Sequence, residues 1–302
     1  MAGSGPPHIA VCIPTYRRPG LLGRCLEALA GQETDGFAYS VVVVDNDSEH
    51  SAAETVHDWQ RQSAVEVHYL VEPVRSISLA RNRAIANAKG DLIAFIDDDE
   101  SPESAWLLNL FRAYKEFLAD GVLGPVIPSY QGKPPLWLVK SRLCVRRSFR
   151  TGTVLANPKY MRTGNMLFDR RILDGDQAPF DPRYGLTGGE DSDFFGRMLK
   201  QGRIFVWCEE ARVHEDVPPE RQRRGYHIRR ALIRGVNNAD REPFLSVGTV
   251  KSTVAVVVYT AVLPILLFVG HHLFMKYLVK KCDHLGKILA HFGVKLIRER
   301  TF

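Results

Sequence analysis

The chain has no C-x-x-C pair: its five cysteines stand apart at 12, 25, 144, 208 and 282. That scatter argues against a zinc site or a disulfide framework and suits a reducing cytosol. Low-complexity tracts are also missing. The opening "MAGSGPPHIA" lacks a basic stretch followed by a long apolar one, so no signal peptide is expected. A more local absence matters more. Residues 253–270, "TVAVVVYTAVLPILLFVG", contain no charged side chain, close to the minimum length for a membrane span.

What remains is the composition of a globular protein, with 302 residues, 45% hydrophobic and 25% charged. This length suits one large domain or up to two ordinary ones. The net charge of +6 is unevenly spread: much of the excess Lys and Arg follows residue 139, in "KSRLCVRRSFR", in "PPERQRRGYHIRRALIR" and near the end. Such runs suit a phosphate, a nucleotide or an anionic membrane surface, and equally an ordinary solvated face.

The first hundred residues alternate two periods. "IAVCIP", "YSVVVVDND", "VEVHYLVE" and "DLIAFIDDD" read as strands; "GLLGRCLEALAGQ", "SAAETVHDWQRQS" and "ISLARNRAIANAKG" read as helices. Near-continuous apolar strands alternating with helices imply an α/β fold with a mainly parallel sheet covered on both faces. Ligands of such sheets bind beyond the carboxyl ends of the strands. Those ends carry "PTYRR", "DND", "EPVR" and "DDDES", so polar groups from four elements should meet at one edge. Beyond an amphipathic helix at "SPESAWLLNLFRAYKEFLAD", "GVLGPVIPSY" is expected as a strand and 129–160 as a loop-rich excursion. "YMRTGNMLFDRRIL" reads as a strand entering a helix, and "RIFVWCEEARVHE" as a last core strand. A basic helix is expected over about 219–236.

Asp97, Asp98 and Asp99, followed by Glu100, concentrate negative charge at the end of a core strand. Such a cluster can hold Mg²⁺ or Mn²⁺, act as nucleophile or base, or cap the next helix through Ser101 before Pro102. Capping needs one residue and leaves the other acids unexplained; a cation neutralises them. A second acidic group, "GGEDSD", falls at a helix N-terminus, where the dipole favours anions. The preceding "YGLTGG" is Gly-rich enough to be mobile or to let a ligand approach closely.

Taken together, "IAVCIPTYRRPGLLGRCLEAL", "VVVVDND", "LARNRAIANAKGDLIAFIDDDESPESAWL" and "GLTGGEDSDFFGRMLKQG" resemble the inverting family 2 glycosyltransferases, in order and spacing, over residues 8 to about 235. The nearest branch is similar to bacterial exopolysaccharide glucosyltransferases of the succinoglycan type. The resemblance implies a GT-A fold, Rossmann-like, with a glycosyltransferase domain over 1–236 and a helical tail over 237–302 that associates with a membrane. Residues 8–128 would bind the nucleotide sugar; 129–236 would carry the acceptor and the catalytic base. Pro14, Thr15, Tyr16 and Arg18 match the loop that holds the nucleotide, Asp45 the acid that bonds uracil, and Arg81 and Asn82 the helix bordering the donor. Asp97, Asp98 and Asp99 match the D-x-D region, with Asp99 and Asp97 as ligands of Mg²⁺ or Mn²⁺ and His214 as a further one. Glu190 and Asp191 match the acidic pair that holds the base, Asp191. Thr163, Gly164, Asn165, Trp137, Arg221 and Arg224 fall where acceptor or phosphate would be met.

The implied partners are a nucleotide-diphosphate sugar, an acceptor that is a glycan or a polyprenyl-linked saccharide, and a membrane surface, with no nucleic acid. "QRRGY" at 222–226 lacks the Trp of the processive Q-x-x-R-W pattern, which favours single sugar additions. Lys251 and Arg241 flank the uncharged run on one side and Lys276, Lys280 and Lys281 on the other. This symmetry, with Pro264 available for a bend, favours a peripheral or re-entrant hairpin through 253–297 on the cytoplasmic face of the inner membrane over a single span. A buried core or dimer helix pair is the plainer alternative. Two other readings compete for the whole: a sugar-nucleotide-forming nucleotidyltransferase, which would want a G-x-G-x-R loop that "PTYRRPG" does not supply, and an inactive adaptor, which intact Asp99 and Asp191 disfavour.

Overall fold

A computed structural model describes residues 6–239, 243 and 246–294. The chain divides into two compact units: Met1–Ile127 with Arg146–Glu215, and Pro128–Val145 with Asp216–Thr301. The second unit therefore starts well before residue 237 and takes in part of the basic excursion.

The sheet unit begins with β1 (His8–Thr15), α1 (Pro19–Ala30), β2 (Ala38–Asp45), α2 (Ala53–Gln62), β3 (Val67–Val71), α3 (Ile77–Asn87) and β4 (Leu92–Ile96). In α1 the buried residues are Leu22, Cys25, Leu26 and Leu29, the i, i+3, i+4, i+7 stripe of a helix lying on a sheet. There follow in chain order β5 (Glu100–Pro102), α4 (Trp106–Phe117), β6 (Gly121–Leu123), β7 (Val126–Tyr130), α5 (Leu136–Ser141), β8 (Asn165–Asp169), α6 (Glu190–Lys200), β9 (Phe205–Trp207) and β10 (Val213–Val217), of which α5 belongs to the second unit. The seven-stranded sheet has the order β3-β2-β1-β4-β8-β6-β9. It is parallel except for β8, which runs antiparallel to β4 and β6. One core packs around Ile13, Leu26 and Trp106, and a second around Phe95, Phe168 and Phe194.

Chain order reverses between β1 and β4, so the ends of these neighbours form a topological switch point. Their pairing stops at Cys12 opposite Phe95, whereas β1 continues along β2 to Thr15 opposite Asp45. The strand ends part there, and Pro14 sits where β4 no longer needs its N–H.

Several expected elements take another form. "GVLGPVIPSY" makes two strands, β6 and β7, broken at Gly124–Pro125, and "RIFVWCEEARVHE" makes β9 and β10. The "RRIL" helix is a single 3-10 turn, and the excursion holds the short α5. Ser101 and Pro102 cap no helix: they lie in β5, antiparallel to β10, and α4 begins at Trp106. β5 is an edge strand, where a missing N–H is tolerated.

The second unit contains α7 (Arg224–Ala239), α8 (Val247–Val269) and α9 (His271–His291). Two glycines bring α7 against α9. A Cβ on Gly235 would lie 2.0 Å from the Asp283 carbonyl oxygen, and one on Gly286 would lie 2.2 Å from that of Leu232. Only Gly allows backbones this near. α8 continues through Pro264 and is the one helix, among the described residues, long and apolar enough to cross a membrane, with 11% of its apolar window buried. It turns its polar groups inward: Ser252 meets His284 at 3.1 Å and Thr249 meets His291 at 3.3 Å. Val254, Val257 and Phe268 face outward, 56%, 65% and 91% exposed. That exposure disfavours a core helix within this chain. Arg241 and the segment from 295 onward, both part of the expected anchor, lie outside the described residues.

Candidate active site

The acids of "FIDDDES" spread around the end of β4 rather than pointing one way. Asp98 turns toward β1, where its carboxylate accepts from Thr15 Oγ1 at 2.8 Å and from Arg18 Nη1 at 3.2 Å. Arg18 Nη1 also donates to Asp99 Oδ2 at 3.2 Å. Asp97 turns the other way, toward Arg81 Nη2 at 3.3 Å. Glu100 folds back, one oxygen accepting from the Asp97 backbone N–H at 3.2 Å and the other buried with no partner among the described residues. Gly164 makes room for this crowding. A Cβ there would stand 2.7 Å from Asp97 Oδ2 and 2.9 Å from Glu100 Oε1.

Negative charge in so small a volume shows in its neighbours. Burial, offset by Arg18 and reinforced by Asp99, pushes the Asp98 carboxyl up to about 7. Burial and then Asp97 push Glu100 well up. Burial and then the charges of Asp98, Glu100, Asp99 and Asp97 raise the Cys25 thiol on α1. The edge is short of positive charge.

Arg81, on α3, connects this edge to the second acidic group. It is buried, and its Nη1 donates to Glu190 Oε1 at 2.7 Å and to Asp191 Oδ1 at 3.1 Å. Its guanidinium lies 5.7 Å from the Phe180 ring centroid. Burial opposes the Arg81 charge, but Asp191, Glu190 and Asp97 outweigh it and hold the group protonated. Glu190 and Asp191 open α6, and Gly188 and Gly189 before them adopt φ of 81° and 107°. Those left-handed values explain the last two glycines of "YGLTGG", while at Gly185 a Cβ would stand 1.8 Å from Ser76 Oγ. Thr163 Oγ1 donates to Asp191 Oδ1 at 2.7 Å. The base candidate is thus fixed by a hydroxyl, a guanidinium and the positive end of a helix.

Some expected site residues are fully engaged in holding the scaffold. Asp45 is buried, and its carboxylate accepts from the backbone N–H of Asp47 and Ala52 and from Tyr69 OH, at 3.1, 2.7 and 2.9 Å. It ties the start of α2 to the sheet. Asn82 exchanges two hydrogen bonds with the Phe180 backbone, at 2.8 and 2.9 Å, and sets the ring under Arg81. Asn165 joins Trp106 Nε1 to the carbonyls of Pro125 and Ala211. His214 does not join the acids. It meets Glu103 Oε1 at 3.1 Å on a half-exposed face, while the next residue, Glu215, faces the other way and accepts from Arg146 Nη2 at 2.7 Å. Trp137, Arg221 and Arg224 belong to the second unit, where Trp137 packs edge-on against His227 and His271.

Arg17 and Arg75 were not singled out by sequence. Tyr16 lies between two guanidiniums, Arg17 at 5.3 Å and Arg75 at 5.0 Å from its ring centroid. Arg17 is held by Asp47 through two hydrogen bonds at 3.0 and 3.1 Å. Arg17 was visible in "PTYRR", but the pairing across β1 and β2 was not.

Residues 10–175 match the family model for glycosyl transferase family 2. The chain belongs to that family. Succinoglycan biosynthesis protein ExoM of Rhizobium meliloti is 36% identical over 221 residues, 71% of this chain and 68% of ExoM. Chondroitin synthase of Escherichia coli is 24% identical over 71% of this chain, which spans 35% of that larger protein. The crystal structure of S. aureus TarS 1–349 in complex with UDP-GlcNAc superposes with a TM-score of 0.57 at 14% identity, covering 95% of this chain and 91% of that one. This family 2 chain therefore has the glycosyltransferase fold, and its activity is glycosyl transfer.

Whether the acids suit a divalent cation is a matter of donor chemistry. Among the described residues no three His, Cys, Asp or Glu side chains converge as a ready cage. Asp97 and Asp99 nevertheless fit a hard ion of the Mg²⁺ kind, which takes one or two carboxylates and completes its shell with phosphate oxygens and water. The unbalanced charge around Glu100 and Cys25 points the same way.

Proposed function

We propose that the chain transfers a sugar, with inversion, from a nucleotide-diphosphate sugar of the UDP class to a hydroxyl of a glycan or lipid-linked saccharide in bacterial polysaccharide biosynthesis. The observation that carries this reading is the Arg81 guanidinium, which touches Asp97 at the donor edge and Asp191 at the start of α6. One rigid group sets the spacing between leaving group and base, which in-line displacement requires. Asp191, bonded to Arg81 at the N-terminus of α6 and oriented by Thr163, takes the proton of the attacking hydroxyl. Tyr16 and Arg18 hold the nucleotide side, and Arg18 also keeps Asp98 and Asp99 in place. Asp99 and Asp97 would hold Mg²⁺ or Mn²⁺, which when bound neutralises the departing diphosphate. The kinship with ExoM supports a step in exopolysaccharide assembly. The outward apolar face of α8 supports a hairpin lying in the cytoplasmic membrane surface, where a lipid-linked acceptor would be met.

The test is to incubate the protein with a panel of UDP-sugars and Mg²⁺ or Mn²⁺ and measure UDP release with and without lipid-linked acceptor. UDP release dependent on metal and acceptor is expected. Release of pyrophosphate from UTP and a sugar phosphate would indicate the nucleotidyltransferase instead. Binding of no nucleotide sugar at all would overturn the reading.

A further inference from the structure

Arg146, Arg147 and Arg162 line one cleft of the sheet unit, at the carboxyl end of β6, together with Tyr160 and Trp207. Arg147 and Arg162 are exposed and Arg146 is half-buried, so the cleft opens to solvent with its cations within reach of an anion. Arg146 is satisfied by Glu215. Arg147 is held by aromatic faces, 4.9 Å from the Phe149 centroid and 5.0 Å from that of Tyr160, and donates to Tyr160 OH at 3.3 Å. No carboxylate pairs with Arg147 among the described residues. Arg162 Nη1 donates to the Met161 carbonyl at 2.8 Å. Trp207 is 4% exposed, and its indole N–H has no hydrogen-bond partner among the described residues. A buried donor left unmade costs about 1–3 kcal/mol, so its persistence beside a cation-lined cleft points to a ligand oxygen.

Strand order places this cleft. Thr15 and Arg18 follow β1, the acids follow β4, and the cleft lies beyond β8 at the ends of β6 and β9. Arg162 immediately precedes Thr163, which holds Asp191, and Arg146 feels Glu215, Glu100, Asp97 and Asp99 in turn. The cleft is therefore on the side of the base, across the acids from the donor loop. We propose that it binds a phosphate group carried by the acceptor, distinct from the donor diphosphate. Arg forks pre-set on aromatic rings match phosphate oxygens. This rests on Asp191 being the base that faces the acceptor.

Tryptophan fluorescence titrations of the full chain, with UDP and Mg²⁺ at saturation, test it with inorganic pyrophosphate and geranyl diphosphate as probes. Both probes are expected to bind without displacing UDP. R147Q/R162Q should weaken them about tenfold or more and leave UDP affinity unchanged, with the variant's fold checked by circular dichroism. W207F, which keeps the bulk of the ring but loses the N–H, should weaken both several-fold, read by calorimetry. Arg112→Gln, a surface charge on α4, should change nothing. Tighter binding of geranyl diphosphate would assign the phosphate to a lipid carrier, and equal binding to a phosphate on the glycan. Competition with UDP, or equal probe binding by R147Q/R162Q and the unaltered chain, would overturn the proposal. Failure of the unaltered chain to bind UDP would instead overturn the donor reading, since the probe titrations can be repeated without UDP.

Discussion

The sheet unit buries charge, and the helical unit exposes apolar surface. In the first, Asp98, Glu100, Glu190 and Arg81 are all at least nine-tenths buried. In the second, the outward side of α8 is Val254, Val257, Ile265 and Phe268. Each departs from the usual sorting of side chains, in opposite senses, and each departure marks a place where the bare chain is unfinished. On the proposed reading, the buried acids would take a positive ion with its diphosphate, and the apolar helix, with its polar groups turned inward, a nonpolar phase.

The contrast can be broken most forcefully at the base. Asp191→Asn is expected to lower turnover by about 10²–10⁴-fold while UDP affinity, by calorimetry, stays within about twofold. Full activity would remove Asp191 from the chemistry. Next is the guanidinium that joins the acids. Arg81→Met should destabilise the protein by about 3–5 kcal/mol in urea unfolding, because three carboxylates lose one buried partner. A loss under about 1 kcal/mol would mean the acids are already neutral.

Smaller effects belong to the helical unit. Gly235→Leu forces α7 from α9 and should cost about 1–3 kcal/mol there, with UDP affinity intact. Parallel loss of nucleotide binding would show that the two units do not keep separate accounts. The weakest expected effect on stability is that of V257K/F268K. Folding should change by less than about 0.5 kcal/mol, but flotation with anionic vesicles should be lost. Retained flotation would move the membrane contact off α8.

Sequence period made the mainly parallel sheet legible in advance, and the two acidic groups stood out as groups, but not the Arg81 guanidinium that joins them. What escaped were the uses of individual polar side chains. Asp45, Asn82 and Asn165 were expected at the donor or acceptor, and nothing in the sequence signalled what they hold in the fold. Their hydrogen bonds go to Ala52, Phe180 and Ala211, and for Asn82 that partner is ninety-eight residues away. His214 was expected as a further metal ligand; in the fold it meets Glu103, while Glu215, one residue on, meets Arg146, since alternation reverses direction with each residue. Ser101 and Pro102 read as a cap because local signals favour it; a long-range ladder with β10 overrode them.

The reversed strand β8 has a consequence for the chain that leads into it. β6 delivers its end to the ligand edge, and β8 starts from that same edge beside it, Leu123 opposite Met166. The connection from Gly124 to Gly164 is therefore the turn of an oversized hairpin, open at the edge where substrates meet. It is no free loop: β7 within it pairs with β10, and Val154 bridges Val206 on β9, so the hairpin's turn is tied to both sheets while it spans the edge that carries Asp97 and Thr163.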